Sequence, residues 1–400
     1  MSATSAPRGS AQAPELSPAP EVSFVIPCLN EEPSIALVVG QARDALVQLG
    51  VPGEIVVVDN GSEDRSAELA RAAGARVVSE PRRGYGSAYL AGLGAAHGRY
   101  LVLTDADATY DLARLPEFLD ELRAGNDLVL GSRFRGTIMP GAMPWSHRWI
   151  GNPVLTGMLN LLFRTGVSDA HCGLRALRRE ALETLQLQST GMEFASEMVI
   201  KAAKRGWRIT EIPIVYRPRE GESKLNSVRD AWRHVRFMLV HSATFLFLVP
   251  GTILVLGGLA LLVPLAVDRH LGDPEWTVPV AILASFLTVL GAQVIQLGLF
   301  ARTYAVVYMA EEEPMLESLW RRFRLEHGLA AAAITLLAGI VITLVGNFDG
   351  VPDPALGLLG LTLAALGVQG IFGAFFLSIL GLPQHAILRR RGSRNEPPHG

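Results

Sequence analysis

The sequence predicts an open α/β sheet built from strand–helix–strand units, joined to an all-α region of four transmembrane helices. Three observations carry this. Within residues 21–235, short apolar, β-branched runs alternate with stretches of helical spacing, the pattern of a mostly parallel sheet flanked by helices. After them come four long uncharged stretches, 237–267, 276–301, 327–348 and 354–388. Each exceeds the roughly 20 residues that cross a hydrocarbon core. The polar clusters able to do chemistry fall just after the strand runs, at what would be one edge of the sheet, where ligands bind in such folds.

The elements follow in order. Strands are expected at "VSFVIP" (22–27), "EIVVVD" (54–59), "RVVSE" (76–80), "RYLVLTD" (99–105) and "DLVLGS" (127–132), because unbroken apolar runs suit strands buried on both faces. Helices are expected at about 32–49, 64–74, 85–97 and 113–124, the last ending in glycine. Asp64 reads as a helix cap. Two further stretches suit helices lying in a membrane interface: 149–163, too short and polar-flanked to span, and 225–239, which mixes Trp232, Phe237 and leucines with four basic or His residues, although a core helix fits the first equally well.

Arginines set the expected orientation of the spans. Arg229, Arg233 and Arg236 precede the first span. Arg302, Arg321, Arg322 and Arg324 lie between the second and third, and Arg389, Arg390, Arg391 and Arg394 follow the fourth. The other two loops, "DRHLGDPEW" and "NFDGVPDPA", hold only Arg269. An integral, multi-pass protein with its soluble part and both ends in the cytoplasm is expected. The boundaries expected are a disordered leader at 1–20, a catalytic domain at 21–224 and an interfacial amphipathic helix at 225–242. A four-helix membrane domain at 243–386 and a basic tail at 387–400 complete the chain.

Bulk composition narrows the class. The chain has 400 residues, a net charge of −2 and 18% charged residues, and its mean hydropathy is +0.29. No basic footprint for nucleic acid is present. The two cysteines, Cys28 and Cys172, have no metal-site spacing and read as buried small apolar residues in a reducing compartment.

"TDADATYD" (104–111) places Asp105, Asp107 and Asp111 directly after an apolar run. Asp105 and Asp107 are two apart and point to one side of an extended strand end. Paired carboxylates at a strand exit suit a hard cation such as Mg2+ or Mn2+ carrying phosphate oxygens. Asp59 and Asn60, at the neighbouring strand end, could hydrogen-bond a base or ribose. "RRGYGSA" opens a helix with glycines, Gly84 first, and helix N-termini favour phosphate. No dinucleotide fingerprint and no P-loop motif are present.

In this order, "VSFVIPCLNEEPSI", "VVDNGSEDRS", "EPRRGYGSAYLAGL", "TDADATYD", "LVLGSRFRG", "SDAHCGLRALRRE" and "GESKL" resemble family 2 glycosyltransferases of the Rossmann-like GT-A fold. Within them the chain looks like the polyprenyl-phosphate, or dolichol-phosphate, mannose and glucose synthases. The resemblance implies a metal-dependent, inverting transfer of one hexose from a UDP- or GDP-sugar to a polyprenyl phosphate at the cytoplasmic membrane face, in cell-wall or glycan biosynthesis. By matching motif, Pro27, Leu29, Asn30, Glu31 and Asp59 would line the nucleoside pocket. Asp105 and Asp107 would be the metal-binding pair, with Asp107 the closer ligand, and Arg133 would sit near the phosphates. Asp169, as base or orienter, and Arg175 would face the reaction centre, and Lys224 would be the loop lysine. Ala106 and Thr109 depart from many relatives, which leaves Thr109 doubtful as a ligand. The QxxRW motif of processive synthases is missing, which implies a single transfer.

A lipid phosphate is already largely an anion at neutral pH. The site would therefore need Arg133, Arg135, Arg175 and Lys224 more than a histidine. Glu193 and Glu197 are candidate acceptor-site residues, and His171 reads as structural. Alternative readings are transfer to another glycolipid or a membrane protein, a lipid-sugar transporter with a nucleotide-binding domain, and a scaffold that has lost catalysis. The first would show in an acceptor panel, the second in functional charges within the spans, which are uncharged here. The intact Asp105/Asp107 pair counts against the third.

Overall fold

The computed structural model describes residues 19–221, 227–268, 274–308, 325–348 and 353–392. The chain divides into two compact units, Met1–Val235 and Arg236–Gly400, so the division falls inside the segment expected to be an interfacial helix.

The first unit is built on a seven-stranded sheet: β1 (Val22–Cys28), β2 (Gly53–Asp59), β3 (Arg76–Ser79), β4 (Tyr100–Leu103), β5 (Leu128–Ile138), β6 (Arg175–Arg178) and β7 (Ile209–Tyr216). The order is β3-β2-β1-β4-β6-β5-β7. β1, β2, β3 and β4 pair in parallel, and so do β5 and β7. β6 runs antiparallel to both of its neighbours. The expected mostly parallel, mixed sheet flanked by helices is therefore present.

The burial of β1 shows how the helices cover it. Alternate residues face opposite sides of a strand. Phe24 and Ile26 join the core formed with Val38, Val39 and Ala42 of α1 (Ile35–Leu49) and with Leu115, Phe118, Leu119 and Leu122 of α4 (Leu115–Arg123). Val25 and Val58 turn to the other face, where a side chain on Gly92 of α3 (Tyr85–Ala95) would collide with both. α2 (Ser66–Ala72) follows β2. α5 (Asn152–Phe163), α6 (Arg179–Leu185) and α7 (Phe194–Lys204) complete the unit, and α8 (Ser227–Val240) runs on past its end.

Two strands differ from the sequence reading. β5 continues to Ile138 rather than stopping at 132, through pairing with β7 whose register shifts between Ser132 and Thr137. A side chain on Gly136 would strike the Ile214 carbonyl, so glycine permits that close approach. β6 and β7 were not expected at all: "RALR" carries two arginines, and β7 contains Pro213, which an edge strand tolerates.

The second unit holds α9 (Val249–Val267), α10 (Pro274–Tyr308), α11 (Leu325–Phe348) and α12 (Pro354–Gly392). Four segments are long and apolar enough to cross a membrane: Thr244–Val267, Glu275–Tyr304, Leu325–Asn347 and Pro354–Leu380. The first starts later than 237, because Phe237–Val240 belongs to α8. Small residues mark the helix crossings. Gly251 lies against Gly291 and Ile295, Gly258 against Thr288, and Gly339 against Gly360 and Ala364. Polar groups inside the unit find partners: Ser285 meets Thr362 at 2.6 Å, and Gln296 Nε2 donates to Gln369 O at 2.9 Å. Ile253, Leu256, Phe286, Ile334, Leu337 and Phe372 face outward, as lipid-facing residues do.

Candidate active site

The loops after β1, β2 and β4 and the start of β6 meet at one sheet edge, since Cys28 pairs with Asp59 and Leu103 with Arg175. The first two loops are knitted together. Asn30, with a left-handed backbone (φ 50), accepts the Glu63 N–H at 2.7 Å and donates its own N–H to Ser62 Oγ at 3.0 Å. Asp59 Oδ1 accepts the Ser62 N–H at 3.0 Å. Glu31 is buried and donates its N–H to Ser66 Oγ at 2.8 Å. Asp64 takes the Ser66 N–H at 3.0 Å, the capping role expected of it. Pro27 and Leu29 are half-buried at the end of β1.

Asn60 does not face a ligand. Its Nδ2 donates to Glu80 O and Arg82 O at 2.8 and 2.9 Å, and its Oδ1 accepts the Gly84 N–H at 2.7 Å. It holds the loop after β3 in place. Gly84 and Gly86 serve packing rather than phosphate. A side chain on either would strike the carbonyls of Thr190 or Ser189, and Thr190 O takes the Ser87 N–H at 3.1 Å. The expected phosphate site at the start of α3 is thus occupied by backbone.

The carboxylates of "TDADATYD" divide their roles. Asp105 Oδ1 accepts from Tyr85 and Tyr89 at 2.9 and 3.4 Å. A side chain on Gly173 would collide with this carboxylate, so the 168–175 segment closes directly over it. Burial pushes the Asp105 carboxyl up to about 6, and the neighbouring Asp107 charge adds to the rise. Asp107 Oδ1 accepts the Thr109 N–H at 3.2 Å and its hydroxyl at 2.7 Å. Thr109 therefore orients Asp107. Asp111 caps the next turn through Ala113 N at 3.0 Å and pairs with Arg217 at 2.7 Å.

The segment after β7 crosses this loop, a contribution the sequence reading missed. Arg217 N donates to Thr109 O at 2.9 Å and Glu220 N to Asp107 O at 3.2 Å. Arg219 reaches Glu31 Oε1 at 2.7 Å and lies 3.7 Å from Asp107 Oδ2, while its Nε has no partner among the described residues. Lys224 lies outside the described residues.

Two of the three expected anion-binding arginines, Arg133 and Arg175, point inward. Arg133 forms a two-point pair with Asp169, at 2.7 and 2.8 Å, over the ring of Tyr216. Asp169 is fully buried, also accepts Arg133 N at 3.0 Å, and donates its own N–H to Glu211 at 3.0 Å. That geometry fits an orienting group, and a free general base is not what the structure presents. Arg175, 2% exposed, sends all three of its nitrogens to carbonyls: Cys172 O at 2.7 Å, Ala195 O at 2.7 Å and Ala170 O at 2.8 Å. It is a loop anchor, closed to phosphate. Arg135 stays half-exposed, 3.4 Å from Glu211.

Glu197, buried, accepts the N–H groups of Gln188 and Ser189 and the Lys201 ammonium at 2.7 Å, so it too holds a loop. Glu193 Oε2 is buried without a partner among the described residues. His171 meets Ser196 at 3.2 Å, and Ser196 meets His234 at 2.8 Å. Burial drives His171 well below the usual imidazole range and His234 to about 4. Burial raises the Cys28 and Cys172 thiols to about 11 and about 12, so neither is a nucleophile near neutrality.

Residues 23–186 match the model of glycosyl transferase family 2, and residues 299–381 match that of the glycosyltransferase family 2 C-terminal transmembrane region. The low-salt glycan biosynthesis hexosyltransferase Agl6 of Haloferax volcanii is 38% identical over 371 residues, covering 91% of this chain and 90% of the relative. A dolichyl-phosphate hexose transferase of the same organism is 38% identical over 52% of this chain and 87% of its own. Among solved structures, glucosyl-3-phosphoglycerate synthase from Mycobacterium tuberculosis in complex with Mg2+ and uridine diphosphate aligns with a TM-score of 0.44. It shares 24% identity over 55% of this chain and 77% of that chain.

Proposed function

Since the chain belongs to glycosyltransferase family 2, we propose that it moves one hexose from a UDP- or GDP-sugar to a polyprenyl phosphate, with inversion, using Mg2+ or Mn2+. The observation that carries this is the Asp105/Asp107 pair. Two carboxylates share one loop end, and among the described residues the cation nearest Asp107 Oδ2, Arg219, stands at 3.7 Å. Burial raises the Asp105 carboxyl, and the Asp107 charge beside it adds to the rise. Hard oxygen donors fit Mg2+ or Mn2+. Among the described residues no cluster of three or more His, Cys, Asp or Glu forms an all-protein cage. Donor phosphate oxygens and water would complete the shell.

Asp107, and Asp105 beside it, would hold the ion, which when bound supplies positive charge to the leaving diphosphate. Arg219 supports the same end, with Glu31 holding the guanidinium in place. Asp59, Asn30 and the edge of Leu29 offer the pocket for the nucleoside. A phosphate acceptor enters already ionised, so no strong general base is needed. That agrees with Asp169 being committed to Arg133. Thr109 keeps Asp107 aimed.

A lipid acceptor also accounts for the surface of the first unit. Trp145, Trp149, Ile150, Val154 and Leu161 are exposed along 145–161, Arg148 lies over the Trp149 ring, and Trp232 is exposed on α8. Aromatic rings beside arginines suit the headgroup level of a bilayer. The arginine asymmetry supports a cytoplasmic face for this unit. The acceptor named for the dolichyl-phosphate relative is of the same kind.

The test is purified protein with Mg2+, polyprenyl phosphate and a panel of nucleotide sugars, scoring labelled lipid. Formation of a hexosyl-phosphate lipid is expected. Efficient transfer to a neutral glycolipid or a protein, with polyprenyl phosphate inert, would overturn the acceptor assignment.

A further inference from the structure

The buried carboxylates around the site are held in two different ways. Asp169 has Arg133, Glu31 has Arg219, Glu197 has Lys201 and Glu211 has Arg135. Among the described residues, Asp105 pairs with no arginine or lysine. Its partners are phenols. Tyr85 and Tyr89, one turn apart on α3, aim their hydroxyls at Oδ1 at 2.9 and 3.4 Å. Tyr110, on the same loop, accepts the Gly173 N–H at 2.8 Å.

The three rings are locked. Tyr85 meets Tyr89 edge to face at 4.9 Å, Tyr89 stacks on Phe194 at 5.2 Å, and Tyr110 leans on Tyr216 at 5.6 Å. Packing alone would favour phenylalanine at the two most buried positions, Tyr89 and Tyr110, which are 1% and 4% exposed. A buried hydroxyl has to be hydrogen-bonded to be tolerated. Tyr89 finds its partner in Asp105, and Tyr110 finds its own in the Gly173 N–H.

We propose that Tyr85 and Tyr89 are the positioning residues of the metal–diphosphate site: their neutral donors fix the Asp105 carboxylate without neutralising it, leaving its charge for a divalent cation. An arginine or lysine in their place would orient the carboxylate but compete with the ion. The proposal rests on the donor-site reading given above. Groups that hydrogen-bond a metal-ligating carboxylate set its orientation, and their loss costs roughly 10–100-fold in metal affinity or activity.

The experiment uses the full chain in detergent. Mn2+ is titrated by electron paramagnetic resonance in the presence of UDP and, separately, GDP. Wild type is compared with Tyr85→Phe, Tyr89→Phe and the Tyr85→Phe/Tyr89→Phe pair, all of which keep the rings. The pair is expected to raise the Mn2+ dissociation constant on the order of 10–100-fold, with Tyr85→Phe the larger single effect because its bond is shorter. Transfer is expected to recover at saturating Mn2+, a rescue that a merely structural role would not give. An unchanged dissociation constant in the pair, beside clear Mn2+ binding by wild type, overturns this proposal alone. A loss of transfer that excess Mn2+ does not restore also overturns it. Wild type that binds Mn2+ with neither nucleotide overturns the metal reading and takes this proposal with it.

Discussion

Replacing Arg175 by alanine should unfold the first unit more readily, rather than merely weaken a ligand. Its guanidinium is 2% exposed and satisfies three carbonyls, those of Ala170, Cys172 and Ala195, at 2.7–2.8 Å. Alanine leaves the Ala170 and Cys172 carbonyls without this donor and removes a second one from Ala195 O, which keeps its helical partner in α7. Each buried polar group left unpaired costs about 1–3 kcal/mol. Water entering the vacated space would recover part of this, which puts the expected loss at about 3–5 kcal/mol. For a unit of this size each kcal/mol shifts the midpoint by roughly 2–4 °C, so a fall on the order of 10 °C is expected. The assay is thermal unfolding of detergent-purified protein, followed by tryptophan fluorescence and circular dichroism without ligand. Arg175→Lys should fall between wild type and alanine, since an ammonium lacks the planar fork that meets three carbonyls at once. A wild-type midpoint for Arg175→Ala, together with lost transfer, would refute the anchoring role and restore the ligand-binding one.

Asp107→Asn should abolish transfer and Mn2+ binding with the unfolding midpoint within a few degrees of wild type, and excess EDTA should silence the wild type; full activity in EDTA would remove the metal from the reaction. The folded His234 sits near 4 against an ordinary 6.5, so it binds fewer protons than the unfolded chain between those values. Its contribution is fully present above about pH 6.5, and is lost as pH falls towards 4, by about 3 kcal/mol. His234→Asn should flatten that acid limb in unfolding measurements, and an identical slope would show that another group causes it. Reporter fusions after residues 272 and 351 should read outside, and after 315 and 395 inside; a cytoplasmic signal at 272 would reverse the orientation.

What was legible in the sequence follows from what each residue's partners are. β1, β2 and β4 lie in the middle of the sheet, and their unbroken apolar runs said so. β6 also lies inside the sheet, yet "RALR" hides it, because Arg175 at its start bonds backbone carbonyls that no sequence pattern announces. The acidic pair could be read from its spacing at a strand end. The arginines could not be assigned, since the residue type reveals a charge but not whether a phosphate, a carboxylate or a carbonyl answers it. Arg219 went unnoticed because its partners, Glu31 and Asp107, are more than 100 residues away along the chain. The phenols of Tyr85 and Tyr89 are nearer, 20 and 16 residues from Asp105, but their target lies in the loop beyond the next strand, and no local pattern pairs a helix residue with it. A rule that any buried tyrosine must have an acceptor would have been the signal to follow.

Asn60 is followed by Gly61, and an asparagine before glycine is the pair most open to spontaneous deamidation, because no side chain shields the attacking amide nitrogen. In the folded chain, three hydrogen bonds hold the side-chain amide to Glu80, Arg82 and Gly84. They restrain the rotation that ring closure to the succinimide requires. Once the loop opens, that restraint is gone. The product, aspartate, has acceptors where the two carbonyls of Glu80 and Arg82 need donors. A molecule that ages there while unfolded would carry a charge facing like poles, and could not close the same loop again. The chemistry of one side chain thus makes time spent unfolded irreversible for this protein.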